Sequence, residues 1–170
     1  MSTGSPPFTI LSAAFPADLA AVVELFRAYA TSLPFSLEYQ GFDKEVATLP
    51  GKYARPGGEV LIAWMGKQPV GCVALRPLPP HAGELEPKGG FCEMKRFFVS
   101  PAARGQGVGK ALAQAIIDVA KAAGYGIMRL DTSADMHPAQ HVYEAVGFKL
   151  APRYNDDPDP TTVYYERSLA

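Results

Sequence analysis

Apolar and polar positions divide the chain into short strand-like runs and helices with one apolar face. Residues 8–11, 59–65, 70–76 and 91–99 are apolar runs that predict strands. Gly66, Lys67, Gln68 and Pro69 join the second and third of these as a hairpin. After Pro16, the residues Leu19, Val22, Val23, Phe26 and Ala30 recur on one helical face. From 31 to 58 the pattern weakens under repeated proline and glycine, and predicts only a short helix or two near 42–49. Residues 77–90 hold four prolines and three glycines and predict a loop. A long helix then buries Val108, Leu112, Ile116 and Val119 and ends at Gly124. A strand at 127–130, a helix at about 136–146 stopped by Gly147, and strands at 148–150 and 162–169 complete the chain. Proline-rich residues 152–160 separate the last two strands. The order β-α-α-β-β-β-α-β-α-β-β predicts an α/β (α+β mixed) single domain over residues 1–170 with a mixed sheet.

Composition narrows the function. Hydrophobic residues at 48% supply a core, and sixteen Lys/Arg against seventeen Asp/Glu give a net charge of −1 without long runs. Phosphate-backbone binding needs clustered positive charge, so a dedicated nucleic-acid binder is not expected. The longest apolar stretches, such as 60–65, are too short for a membrane span. The start MSTGSPPFTI lacks the basic and apolar regions of a secretory leader. Cys72 and Cys92 stand singly in apolar runs, which suits buried thiols in a cytoplasmic protein.

The glycines are unevenly placed. Gly105, Gly107 and Gly109 crowd a strand-to-helix junction, where backbone N–H groups and the positive helix end can face an anion. The Walker A spacing fails, because its first glycine falls on Arg104 and its hydroxyl on Ala111. The Rossmann fingerprint fails, because its last glycine falls on Lys110. A third pattern fits: Gln or Arg, two residues, Gly, one residue, then Gly or Ala, met by Arg104, Gly107 and Gly109.

With VSPAARGQGVGKAL and AQHVYEAVGF in place, the chain resembles the GNAT superfamily of acetyl-CoA-dependent N-acetyltransferases over about residues 8–169. The resemblance implies a GNAT-like fold, a mixed and mostly antiparallel sheet of six to seven strands flanked by about four helices. It implies a bulged strand that splays from its neighbour, with pantetheine in the gap. The main chain of Phe97, Phe98 and Val99 would contact pantetheine, and Arg104, Gly105, Gln106, Gly107, Val108, Gly109 and Lys110 would hold the pyrophosphate. Many relatives carry a pantetheine-contacting asparagine where this chain has Met136, so that polar contact is either missing or made by another residue such as Thr132 or Ser133.

Acetyl transfer sets the remaining demands. A lysine-like amine has a pKa of about 10.4 and must lose a proton, the tetrahedral oxygen needs donors, and the leaving thiolate needs a proton or a hydrogen bond. By resemblance Glu93, a carboxylate within an apolar strand, is the base, and Tyr143 is the acid near the sulfur. A backbone N–H near Phe97 or Phe98 is the oxyanion donor. Lys95 and Arg96 are adjacent and so should point to opposite faces of the sheet, one toward the acceptor or the cofactor. His137 and His141 have metal-pair spacing without a third ligand, so no metal is expected. Asp156, Asp157 and Asp159 form either a solvated turn or an amine-attracting rim.

The expected activity is transfer from acetyl-CoA to a small amine, such as an amino acid or a similar compound, by direct attack in a ternary complex. The small-molecule branch is suggested by Glu-Met-Lys-Arg before the loop, which recurs there. A protein N-terminal or lysine acetyltransferase is the enzymatic alternative, and a silent acyl-CoA-binding sensor or partner subunit the non-enzymatic one. The sequence allows a homodimer without requiring one.

Overall fold

In the computed structural model, residues 7–170 are described, apart from the side chain of Tyr39. Residues 1–6, the first part of the MSTGSPPFTI segment, lie outside the described residues, and so does most of the leader question. Seven strands are present: β1 (Thr9–Ser12), β2 (Glu59–Met65), β3 (Gln68–Leu78), β4 (Phe91–Val99), β5 (Ile127–Thr132), β6 (Lys149–Leu150) and β7 (Val163–Ser168). They form one sheet in the order β1-β2-β3-β4-β5-β7-β6. Every pairing is antiparallel except β4 with β5.

Strand alternation assigns each apolar residue to one of two cores. Val60, Ile62, Cys72 and Ala74 face α1 (Leu19–Ser32) and α2 (Phe42–Ala47), where Val22, Leu25, Phe26, Phe42 and Val46 pack. Leu61, Ala63, Val73, Leu75, Cys92 and Met94 face the other side, with α3 (Val108–Ala122) and α4 (His137–Ala145). Central strands buried on both faces explain why β2 and β3 read as apolar runs rather than as alternating ones. The buried stripe of α3 is Val108, Leu112, Ala113, Ile116, Ile117 and Ala120, with the expected Val119 at its half-buried margin.

Several element ends differ from the sequence expectation. Gln68 pairs with Met65, so the β2–β3 turn is only Gly66-Lys67, with Gly66 at φ +59°. β3 runs on to Leu78 because Pro77 and Leu78 still pair with Cys92 and Phe91. Helix α1 begins at Leu19 rather than at Pro16, which precedes it in a turn. Within residues 31–58, α2 is accompanied by single 3₁₀ turns at Glu38–Gln40 and Gly51–Tyr53.

Two irregularities in β4 position the site. Ala74 pairs with Lys95 and Cys72 with Phe98, so Arg96 and Phe97 together oppose one residue of β3. That is a β-bulge, and Arg96 takes a left-handed φ of +58° to make it. β4 also pairs with β5 only over Phe91–Glu93 against Ile127–Arg129. Beyond that point the two strands separate into an open V.

Candidate active site

The V contains a cleft of about 450 Å³. Its floor is Phe97, Phe98 and Val99, one end is the glycine turn of Arg104, Gly105, Gly107, Val108, Gly109 and Lys110, and its far wall is Met136, Pro138, Ala139 and Val142. Residues 97–99 have used one backbone edge on β3 and have no paired strand on the other, which leaves main-chain groups for a ligand amide. The three glycines serve different needs. Gly105 and Gly107 hold φ of +78° and +84°, a region that side chains rarely adopt. At Gly109 a Cβ would lie 3.2 Å from the Phe97 ring, so this glycine lets α3 sit close on β4. Helix α3 starts with no side-chain cap and no acid in its first turn, so its N–H groups and its positive end stay available to an anion. Gln106 lies in the same turn, its side-chain amide turned back onto Ala102 O at 3.4 Å.

A second cavity, of about 200 Å³, adjoins the cleft through shared residues Tyr29, Phe97 and Met136. It is lined by Leu33, Phe35 and Leu37, by Asp131, Thr132 and Ser133, and by Asp157, Pro158 and Asp159. Tyr143 reaches it from α4, buried at 6% exposure, with its ring 5.5 Å from that of Phe97. Residues 157–159, within the stretch 152–160, therefore form one wall of this cavity. Within that stretch Asn155 Oδ1, Asp157 Oδ1 and Asp159 Oδ1 accept from the backbone N–H two residues ahead, a chain of Asx turns.

A profile of the acetyltransferase (GNAT) family matches residues 20–148. The chain belongs to this family. An uncharacterized N-acetyltransferase of Schizosaccharomyces pombe is 34% identical over 163 residues, covering 95% of each chain. A GNAT acetyltransferase structure from Staphylococcus aureus superposes with a TM-score of 0.74 at 19% identity, over 96% of this chain and 99% of its own. A Salmonella typhimurium acetyltransferase solved with acetyl-CoA gives 0.73 at 19% identity, over 96% and 95%.

Within this GNAT frame, the expected catalytic residues lie in contrasting settings. The phenol of Tyr143 is pushed well up by burial first, then by the nearby Tyr29 and Asp131. It therefore stays protonated. Glu93, at 1% exposure, has both oxygens engaged: Arg76 donates to Oε1 at 2.7 and 2.8 Å, and the Tyr154 hydroxyl donates to Oε2 at 2.5 Å. Burial pushes its carboxyl up, but Lys95 and Arg76 outweigh that and hold it below its ordinary value.

Lys95 and Arg96 do not point to opposite faces. The extra residue in the bulge resets the alternation, and both side chains donate to Gln40 Oε1, at 3.1 and 3.0 Å. Arg96 also holds Glu45 with two bonds, at 2.9 and 3.0 Å, and lies over the rings of Phe42 and Tyr29. It thereby clamps α2 to β4. Thr132 and Ser133 line the smaller cavity and not the cleft, while Met136 lines both. The hydroxyl-bearing side chains that line the cleft are Tyr29 and Ser32, both of α1.

Sequence reasoning missed Tyr29, Arg76, Asp131 and Tyr154. Asp131 was detectable in principle, as a carboxylate ending an apolar strand in the segment before the tyrosine helix. The other three carry no local signal, because the fold alone brings them to β4. Among the described residues no group of three His, Cys, Asp or Glu is placed to hold a metal ion. His137 and His141 are exposed. No helix among the described residues is long and apolar enough to cross a membrane.

Proposed function

We propose that the chain transfers the acetyl group of acetyl-CoA to the amine of a small molecule by direct attack in a ternary complex. The observation that carries this is the junction of the two cavities. An apolar cleft ending at the uncapped start of α3 meets a smaller pocket at Phe97, beside the Tyr143 hydroxyl-bearing ring. When bound, acetyl-CoA supplies a thioester carbonyl as the electrophile.

The chain's own contribution is mainly orientation. The uncapped start of α3 and the backbone of 105–110 hold phosphate, and the free edge of Phe97–Val99 aligns the pantetheine amides. A backbone N–H at the bulge, near Phe97 or Phe98, donates to the developing oxyanion. Tyr143 donates a hydrogen bond to the departing thiolate, and its raised pKa makes stabilisation its role more than full proton delivery. The proton of the amine goes to a carboxylate. Asp131 lines the cavity while both Glu93 oxygens are engaged, so the base role expected of Glu93 passes to Asp131 and Glu93 holds the wall. Direct attack also suits the thiols: Cys72 and Cys92 are buried, and burial pushes the Cys92 pKa up to about 12 and that of Cys72 further.

The test is thiol release from acetyl-CoA with a mixed panel of small amines. Release that depends on the amine is expected. Tight acetyl-CoA binding with no release above hydrolysis would point instead to a silent acyl-CoA sensor.

A further inference from the structure

The acceptor side extends past Tyr143 into a third, strongly polar cavity of about 380 Å³. It shares Gln40, Asp131 and Asp157 with the pocket of about 200 Å³. A small void of about 30 Å³, lined by Lys95, Asp131, Phe97 and Tyr143, lies among them. Lys52, Arg76 and Lys95 come from the β3–β4 side of the V, whereas Asp131, Asn155 and Asp156 come from β5 and the segment before β7. The cavity therefore has a cationic side and an acidic side, set apart by the same strand separation that opens the donor cleft.

Charge matching on the cationic side is incomplete. Arg96 is answered by Glu45 and Arg76 by Glu93. Lys95 is 7% exposed, and its ammonium donates to the neutral Gln40 Oε1 at 3.1 Å. It takes part in none of the ion pairs among the described residues. Burial, only partly offset by Glu93 and Asp131 at longer range, lowers its hold on the proton. A buried ammonium with one neutral partner is costly unless an anion completes its shell. On the other side, the Asp131 carboxylate accepts from Asn155 Nδ2 at 2.7 Å through Oδ2. Asp131 lines all three acceptor-side cavities, and it is the carboxylate that lines the small void together with Lys95 and Tyr143.

We propose that the acceptor is an amino acid or a similar zwitterion, its carboxylate seated on Lys95 and its amine on Asp131 beside Tyr143. This rests on the acetyl-transfer reading and specifies its acceptor. Lys52, exposed at the cavity rim, adds attraction for the same carboxylate. Arg96 takes no part, because its guanidinium is spent on Glu45 and Gln40. A peptide N-terminus would bring its amine to Asp131 but leave Lys95 unanswered.

The experiment measures acetyl-CoA-dependent thiol release with the common L-amino acids, each beside its decarboxylated amine and its α-carboxamide, and with a tripeptide. The best amino acid should exceed its amine and amide by roughly 10- to 100-fold in kcat/KM, the range for a charged hydrogen bond. Lys95→Gln should shrink that ratio below about threefold while acetyl-CoA affinity by calorimetry stays within about threefold. The wild-type ratio decides alone if that variant does not fold. Amines or amides that match or beat every amino acid would overturn the zwitterion and leave acetyl transfer standing. A preference for the tripeptide would overturn it together with the small-molecule acceptor. No release with any amine, despite acetyl-CoA binding, would overturn both readings.

Discussion

The two halves of the site are built in opposite ways. The donor half comes largely from one continuous stretch, β4 through the start of α3, and presents mostly backbone: a free strand edge, a glycine turn and an uncapped helix end. The acceptor half is assembled from side chains of many segments, with Gln40, Lys52, Arg76, Lys95, Asp131 and Asn155 brought together over more than 100 positions. Backbone groups are common to every residue, so such a site tolerates any sequence that keeps its shape. Side-chain charges are specific, so the acceptor half can change its substrate without changing the fold. A family can thus hold its donor constant while its acceptors diverge.

The largest expected effect breaks the acceptor half alone. Glu93→Gln leaves Arg76 without its buried counter-charge and should cost about 3–5 kcal/mol of folding stability, measured by urea unfolding. Acetyl-CoA affinity of the folded fraction should stay within about threefold, since Glu93 is no part of the donor cleft. Next, Gly107→Val breaks the donor half by forcing a β-branched residue into φ of +84° and placing its methyls at the helix start. Acetyl-CoA binding by calorimetry should weaken more than about 100-fold, and normal binding would remove the loop from the phosphate site.

Tyr143→Phe acts where the halves meet. It keeps the ring packing on Phe97 and removes the donor to the thiolate, so kcat should fall by roughly 10- to 100-fold. The KM for acetyl-CoA should change less than about threefold, and an unchanged kcat would dismiss the hydrogen bond. The smallest effect concerns Glu84, in the loop between β3 and β4, which pairs with Arg129 behind the acceptor wall, where Arg129 also stacks on Phe91 and Tyr154. Hydrogen bonds from Arg129 lower the Glu84 pKa to about 2 from an unfolded value of about 4.3. Because the folded state favours the ionised form, this stabilisation is full above about pH 4.3 and is lost as pH falls through about 2. Arg129→Met should flatten that part of the stability–pH curve by less than about 1 kcal/mol, read from thermal unfolding between those pH values.

Element order, the number of helices and the glycine turn before α3 were legible because each depends on neighbours in sequence. The apolar runs of β2 and β3, the 3.6-residue stripe of α3, and the spacing of Arg104, Gly107 and Gly109 are local patterns with local causes. The orientation of Arg96 was not legible. One bulged residue, with no glycine or proline to announce it, reversed the side-chain alternation that adjacent positions would otherwise obey. Glu93 was found as a carboxylate in an apolar strand, yet its partners Arg76 and Tyr154 lie 17 and 61 residues away. Nothing near Glu93 in the chain says whether its charge is free or held.

The sequence by itself determined the family, the mixed sheet and the glycine turn at the start of α3, since glycine placement and hydrophobic period act within a few residues. Only the tertiary structure decided what faces the acceptor. Strand separation after Glu93, the bulge at Arg96 and the return of residues 152–160 over β5 put Lys95 and Asp131 on opposite sides of one cavity. Charge complementarity acts through space, and chain spacing carries no record of it until the fold brings the charges together.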